Sequence, residues 1–172
     1  MALYVLSVVG SDRPGLTKAL AAAILSAGGN WLESRLSRLG GLYVGSVLVE
    51  LAADGVAGLD SAVRAVDSHG LEVRVAPAVA TPGWDGETLQ FGLVGQDRPG
   101  IVDQVTAVLS GLEANIETFT TWISAEAHSG SPLFNMEACL RLPPDLEAAR
   151  VQAALEDISA EIMVDISLGP AP

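Results

Sequence analysis

The sequence predicts an α+β protein built from two tandem β-α-β-β-α-β units, each with an antiparallel sheet and a pair of helices. Three observations carry this expectation. The segment Gly10, Ser11, Asp12, Arg13, Pro14, Gly15, Leu16 returns 85 residues later as Gly95, Gln96, Asp97, Arg98, Pro99, Gly100, Ile101. Each copy follows a short apolar run and precedes a helix-period pattern, so a whole supersecondary unit is repeated rather than a peptide. Asn30 and Asn115 then stand at the same offset, each opening a strand-like segment.

The elements of the first unit follow in order. Leu3, Val5 and Val9 alternate with Tyr4, Leu6 and Val8. Both faces of that run are apolar, which suits a central strand covered on both sides. Leu16, Leu20, Ala23, Ile24 and Ala27 keep helical spacing. Gly28 and Gly29 close that helix, where positive φ costs glycine little. Asn30–Leu39 and Leu42–Leu51 are two strands joined at Gly40 and Gly41, a hairpin signal. Val56, Leu59, Val63 and Val66 mark a second helix that stops near His69 and Gly70. Leu71, Val73 and Val75 supply the last strand.

The second unit repeats this order. Residues 89–94 form its first strand, and Ile101, Val105, Val108, Leu109 and Leu112 its helix stripe. Asn115–Ala125 and residues 133–142 form the hairpin, with a longer connection. Pro143 and Pro144 lead into a helix with Leu146, Val151, Leu155 and Ile158, since proline is tolerated near a helix start. Ile162, Val164 and Ile166 mark the final strand, and Gly169 to Pro172 a frayed tail. Residues 76–86 are punctuated by Pro and Gly without a period and read as a linker, with Trp84 pinning it to a domain. The repeated order is the ferredoxin-like arrangement, with both helices of each unit on one face of its sheet. The other face of the first sheet is expected to carry apolar residues that something must cover.

Composition narrows the function. The 172 residues are 49% hydrophobic and carry a net charge of −12. Residues 1–80 hold seven acids and six bases; residues 81–172 hold fourteen acids and three bases. With Lys18 as the one lysine and eight scattered arginines, direct nucleic-acid binding is a poor reading, because such affinity rests on cations neutralising phosphates. Attachment to an anionic membrane is equally poor. The acidity serves solubility or a partner with a basic surface. Cys139 is the one cysteine, so neither an internal disulfide nor a multi-cysteine metal site is expected. It reads as a small, partly buried side chain in a strand. His69 and His128 are too few and too scattered for zinc. The first basic residue, Arg13, follows the N-terminal apolar run, the wrong order for a signal peptide, and no run approaches a membrane span. A cytoplasmic protein is expected. No phosphate-cradling Gly-Lys-Ser/Thr loop and no catalytic triad emerges, so neither an enzyme nor a bound cofactor is expected.

The paired loops are the candidate site. A helix start presents unpaired N–H groups and about half a positive charge, which favours a carboxylate by about 0.3–1 kcal/mol when exposed. Gly15 and Gly100 let a ligand approach the backbone, and Pro14 and Pro99 set the entry angle. Asp12 and Asp97 face a ligand ammonium or cap the helix; Arg13 and Arg98 pair with a ligand or with a nearby acid. Asn30 and Asn115 orient the ligand's polar ends or, as αL residues, close the turn after the helix. The candidate ligand-binding set is Ser11, Asp12, Arg13, Pro14, Gly15, Leu16 and Asn30, with Gln96, Asp97, Arg98, Pro99, Gly100, Ile101 and Asn115. Trp31 and Trp122 on the second strands read as interface packing.

Gly-x-Asp-Arg-Pro-Gly after a first strand, an amphipathic helix, and Asn30 or Asn115 opening the next strand resemble the ACT domain. Its doubling in a short chain is similar to the glycine cleavage system transcriptional repressor type of tandem ACT protein. Residues 30–36 and 131–137 add to that likeness. The resemblance implies ACT domains over residues 1–76 and 88–168, with a linker at 77–87. It implies an amino acid bound between the loop of one domain and the strands of a neighbour, a homodimer, and action through a protein partner such as a transcription factor. Three other readings stand beside it. A ligand-free oligomerising module has the same fold. An acylphosphatase, similar in topology, would use Arg13 and Asn30. RNA binding through the sheet would need Tyr4, Tyr43, Phe91 and Phe134 exposed on it.

Overall fold

A computed structural model describes residues 1–52, 55–67, 70–79, 86–126, 129–162 and 165–170. His69, Trp84 and Val164, read above as a helix-end residue, a linker pin and a strand residue, lie outside them, as do His128 and most of the linker. The chain divides into two compact units, Met1–Thr81 and Pro82–Pro172.

The first unit runs β1 (Ala2–Ser11), α1 (Leu16–Ser26), β2 (Asn30–Leu39), β3 (Leu42–Leu51), α2 (Val56–Asp67) and β4 (Leu71–Pro77). Its sheet is antiparallel, in the order β2-β3-β1-β4. The second runs β5 (Thr88–Gln96), α3 (Ile101–Gly111), β6 (Asn115–Ala125), β7 (Pro132–Arg141), α4 (Ala148–Ile162) and β8 (Asp165–Pro170), in the order β6-β7-β5-β8. The two topologies are the same, as the repeat predicts. Each unit has its own core. In the first, Leu20 and Ile24 of α1 meet Leu6 and Val8 of β1 and Val49 of β3, all essentially inaccessible. In the second, Val105 and Leu109 of α3 meet Phe91, Met136 and Leu140. Each such side chain contributes about 1.5–3 kcal/mol by burial.

The structure revises several expectations. β1 is central, yet it is covered on one face: Leu6 and Val8 are buried, whereas Leu3 and Val9 on the opposite face are 43% and 46% exposed. Both sides of the run are apolar, but the unit has helices for one side only. Ala76 and Pro77, read as linker, pair with Val5 and Tyr4 at the end of β4. Pro143 and Pro144 lie in a turn, closed by Leu146 N–H donating to the Pro143 carbonyl, before α4 begins at Ala148. Ile162 ends α4 rather than entering the last strand, and Gly169 and Pro170, read as frayed, pair with Gln90 and Leu89. Their ladder partners on β5 hold them despite the poor strand propensity of Gly and Pro.

The helix-to-strand turns assign the left-handed positions. Gly28 takes φ 72° and Glu113, its counterpart, takes φ 56°. Asn30 and Asn115 are therefore ordinary strand residues, and the αL reading of them does not hold. Gly10 has a different task. A Cβ there would collide with the Gly70 carbonyl, so glycine is what lets the start of β4 close on β1 beside the loop.

Candidate functional site

β1 and β5 deliver the two loops to the starts of α1 and α3. Gly15 and Gly100 cap those helices at φ 97° and 94°, a backbone state that L side chains resist. Neither helix has a side-chain cap. Asp12 and Asp97 thus do not cap their helices. The first-turn N–H groups carry a partial positive charge that no side-chain cap offsets.

The two mouths are finished differently. In the first, Asp12 pairs with Arg38 of β2 at 3.1 Å, and its N–H donates to the Gly41 carbonyl at 3.4 Å. The Thr17 hydroxyl and the Tyr43 hydroxyl share a hydrogen bond of 2.7 Å, tying the first turn of α1 to β3. Arg13 is exposed and lies against Gly70, whose added Cβ would meet its Nη2 at 3.4 Å. In the second, Arg98 Nη2 donates to Gln104 Oε1 at 2.7 Å, while its Nε is buried without a partner. A buried, unsatisfied N–H costs about 1–3 kcal/mol. An open cleft of about 470 Å³ lies at this mouth, lined by Asp97, Arg98, Gly100, Ile101, Val102, Asp103, Thr106 and Phe134. Ile101, Val102 and Phe134 are its apolar lining residues, and Asp97, Arg98, Asp103 and Thr106 its polar ones.

The predicted residues separate into two groups. Ser11 to Leu16 and Gln96 to Ile101 lie together at the loops, although the Leu16 and Ile101 side chains point into the cores. Asn30 pairs with Glu50, which pairs with Leu3; the loop leaves β1 at Ser11. Asn30 is thus about 27 Å from its own loop at roughly 3.4 Å per residue. Asn115, opposite Arg141 and Thr88, is equally far from Gln96. Within a unit, neither asparagine reaches the loop, so the acylphosphatase pairing of Arg13 with Asn30 is not formed. At the Asn115 end, Arg141 donates from Nε and Nη2 to Glu117 at 2.9 and 3.3 Å, and from Nη1 to the Gly86 carbonyl at 3.1 Å. The Glu117 carboxylate raises the Arg141 pKa further above its ordinary range, chiefly through this hydrogen bonding. This cluster is a strand clamp. Cys139 Sγ lies 3.7 Å from Glu117 Oε2.

Phe91 and Phe134 are buried, and Tyr4 and Tyr43 pack on the first core, so the aromatics required for RNA stacking face the helices. Trp31 packs on its own unit's core, whereas Trp122 is 42% exposed. Among the described residues no His, Cys, Asp and Glu cluster suits a metal ion. The residues that sequence reading missed are Thr17, Arg38, Tyr43, Val102, Asp103, Thr106 and Phe134. The repeat itself held the signal: the 85-residue offset carries Thr17 to Val102 and Arg38 to Ile123. Beyond the hairpin the counterpart of Tyr43 is Phe134, because the connection between the strands is longer in the second unit.

Comparison with known proteins follows this geometry. Residues 3–76 match the ACT domain family. A structure of an unknown protein from Galdieria sulphuraria superimposes with a TM-score of 0.83 at 31% identity, over 99% of both chains. The chain belongs to the ACT domain family. A proposed glycine cleavage system transcriptional repressor shares the ACT arrangement with a TM-score of 0.71 over 99% of this chain and 98% of its own, at 13% identity. That likeness shows the fold. No curated protein matches the chain. No described helix is long and apolar enough to cross a membrane. Two ferredoxin-like ACT units account for the topology.

Proposed function

We propose that this protein is a non-enzymatic, cytoplasmic regulator that senses an amino acid or a related small metabolite and acts through a protein partner. The observation that carries the reading is the pair of helix starts capped by glycine and left without a side-chain cap, each with an aspartate and an arginine beside it. That combination suits a zwitterion: N–H groups and guanidinium for its carboxylate, Asp for its ammonium. The two domains, whose last strands extend them to Pro77 and Pro170, work as a homodimer. In that dimer Asn30 or Asn115 reaches a loop of a second copy, since neither reaches its own. The partner carries a basic surface, complementary to the acidic second half, and is a transcription factor. Control of glycine or other amino-acid metabolism is the process favoured by the likeness to the repressor fold.

Thermal unfolding of the full chain with each of the twenty amino acids at millimolar concentration tests the sensing step. A ligand that binds the folded state raises the midpoint by mass action. Twenty flat responses would refute it. Size measurement in solution tests the dimer, which a monomeric chain at working concentration would exclude.

A further inference from the structure

We infer that a second copy of this chain docks face to face on the first sheet, over the side that α1 and α2 leave open. This inference rests on the homodimer proposed above and assigns its surface; it needs no ligand. Leu3, Val5 and Val9 of β1 and Val44 and Leu48 of β3 stand on that side, opposite the core residues of the same strands. Leu3 and Val9 are 43% and 46% exposed. A shallow depression of about 200 Å³, lined by Val5, Glu33, Ser34, Arg35, Ser46 and Leu48, lies among them. The matching rows of the second sheet carry Thr118, Cys139 and Gln90, then Thr120, Glu137 and Gly92, which suit water. The apolar strip that needs a cover thus belongs to the first unit.

Charge decides which partner fits. The strip is bordered on β2 by Glu33 and Arg35, 3.6 Å apart, and on β4 by Glu72 and Arg74, 3.4 Å apart. Each border pairs an acid with a base, so a copy of the same face meets no net repulsion, and a strongly charged partner finds no field to match. Register then fixes the symmetry. Glu33 lies in one row with Leu48 and Val5, and Arg35 in the next with Ser46 and Ser7. A two-fold axis that crosses the strands between these rows exchanges them. It sets Glu33 of one copy against Arg35 of the second, and Leu3 against Val9, each contact being made twice. A two-fold axis along the strands would instead set Arg35 against Arg74, because both lie in the Ser7 row. The favoured axis runs the two sheets in opposite directions. The Asn30 end of one sheet then lies over the end of the other from which the loop departs. The sheet has four strands. At about 4.8 Å apart and about 30 Å long, they present roughly 600 Å² in projection, the lower end of what each partner in a specific interface buries. Aligned sheets close over such a face at about 10 Å.

Sedimentation velocity of the full chain over a concentration series decides the matter, with thermal unfolding to confirm that each variant is folded. The unaltered chain should sediment as a dimer. Leu3→Glu with Val9→Glu sets like charges against each other across the axis and should weaken the dimer about a hundredfold or more. Glu33→Arg alone and Arg35→Glu alone should each weaken it about tenfold, since each makes a like-charge contact twice. Mixing those two variants in equal amounts should restore the dimer, because the altered residue of each chain then meets an opposite charge on the other. No rearrangement within one chain produces that recovery. Trp122→Lys with Ile123→Lys, on the exposed edge strand of the second sheet, should leave the dimer intact. A dimer that survives Leu3→Glu with Val9→Glu would overturn this surface and leave the homodimer standing. So would a dimer dissolved by the Trp122 and Ile123 changes, which would place the contact at the β6 edge. Mixing without recovery would overturn it as well. A monomeric unaltered chain is a different failure: it removes the homodimer and this surface together.

Discussion

Replacing Glu113 by glycine should stabilise the second unit. Glu113 adopts φ 56° at the end of α3, where Gly28 adopts φ 72° at the end of α1. Both turns are closed in the same way. Gly28 and Gly29 N–H donate to Leu25 and Ile24 carbonyls at 2.9 Å, and Glu113 and Ala114 N–H donate to Ser110 and Leu109 carbonyls at 3.0 Å. A left-handed L residue costs about 1–2 kcal/mol. Glycine gives back about 0.5–1 kcal/mol through its greater freedom in the unfolded chain. The expected net gain for Glu113→Gly is about 0.5–1 kcal/mol, or a few degrees in midpoint at roughly 2–4 °C per kcal/mol for a chain of this size. Glu113 is exposed, so no packing is lost. The reciprocal change, Gly28→Ala, should cost about 1 kcal/mol, and its added Cβ meets nothing within 4 Å, so the cost is purely conformational. The two units need not unfold together, so denaturant titration should be read alongside amide exchange resolved by unit. Glu113→Gly that leaves the second unit unchanged or weaker, or Gly28→Ala that leaves the first unit unchanged, would refute the conformational account.

Three further outcomes are expected. Leu20→Ala and Leu109→Ala, both at fully inaccessible positions, should each cost about 2–5 kcal/mol in denaturant titration, each in its own unit. Gly10→Ala should cost about 1–3 kcal/mol by forcing its Cβ against the Gly70 carbonyl, read as lost exchange protection at the β1–β4 ladder. The Asp12–Arg38 pair, with side chains 37% and 72% exposed, should show at most about 1 kcal/mol of coupling in a double-mutant cycle, vanishing in molar salt.

The sequence alone determined the element order, the duplication and most of both cores. Leu16, Leu20, Ala23 and Ile24 were legible as a buried stripe because helical period and apolarity are local properties, repeated 85 residues on. Gly40 and Gly41 marked their turn for the same reason: both take positive φ, which the chain writes into residue type. The loops at 10–16 and 95–101 were legible as the place where a helix begins. What faces those loops was not. Tertiary structure alone decided that Asn30 and Asn115 lie at the far ends of their sheets, because strand register is set by pairing partners rather than by sequence distance. It also decided which face of β1 is covered, since both faces are apolar and only the placement of α1 and α2 tells them apart. Above all it brought Arg38 to Asp12 and Tyr43 to Thr17. These residues are 26 apart in the chain, and a hydrogen bond reaches only a few ångströms, so the contact exists only once the sheet has formed.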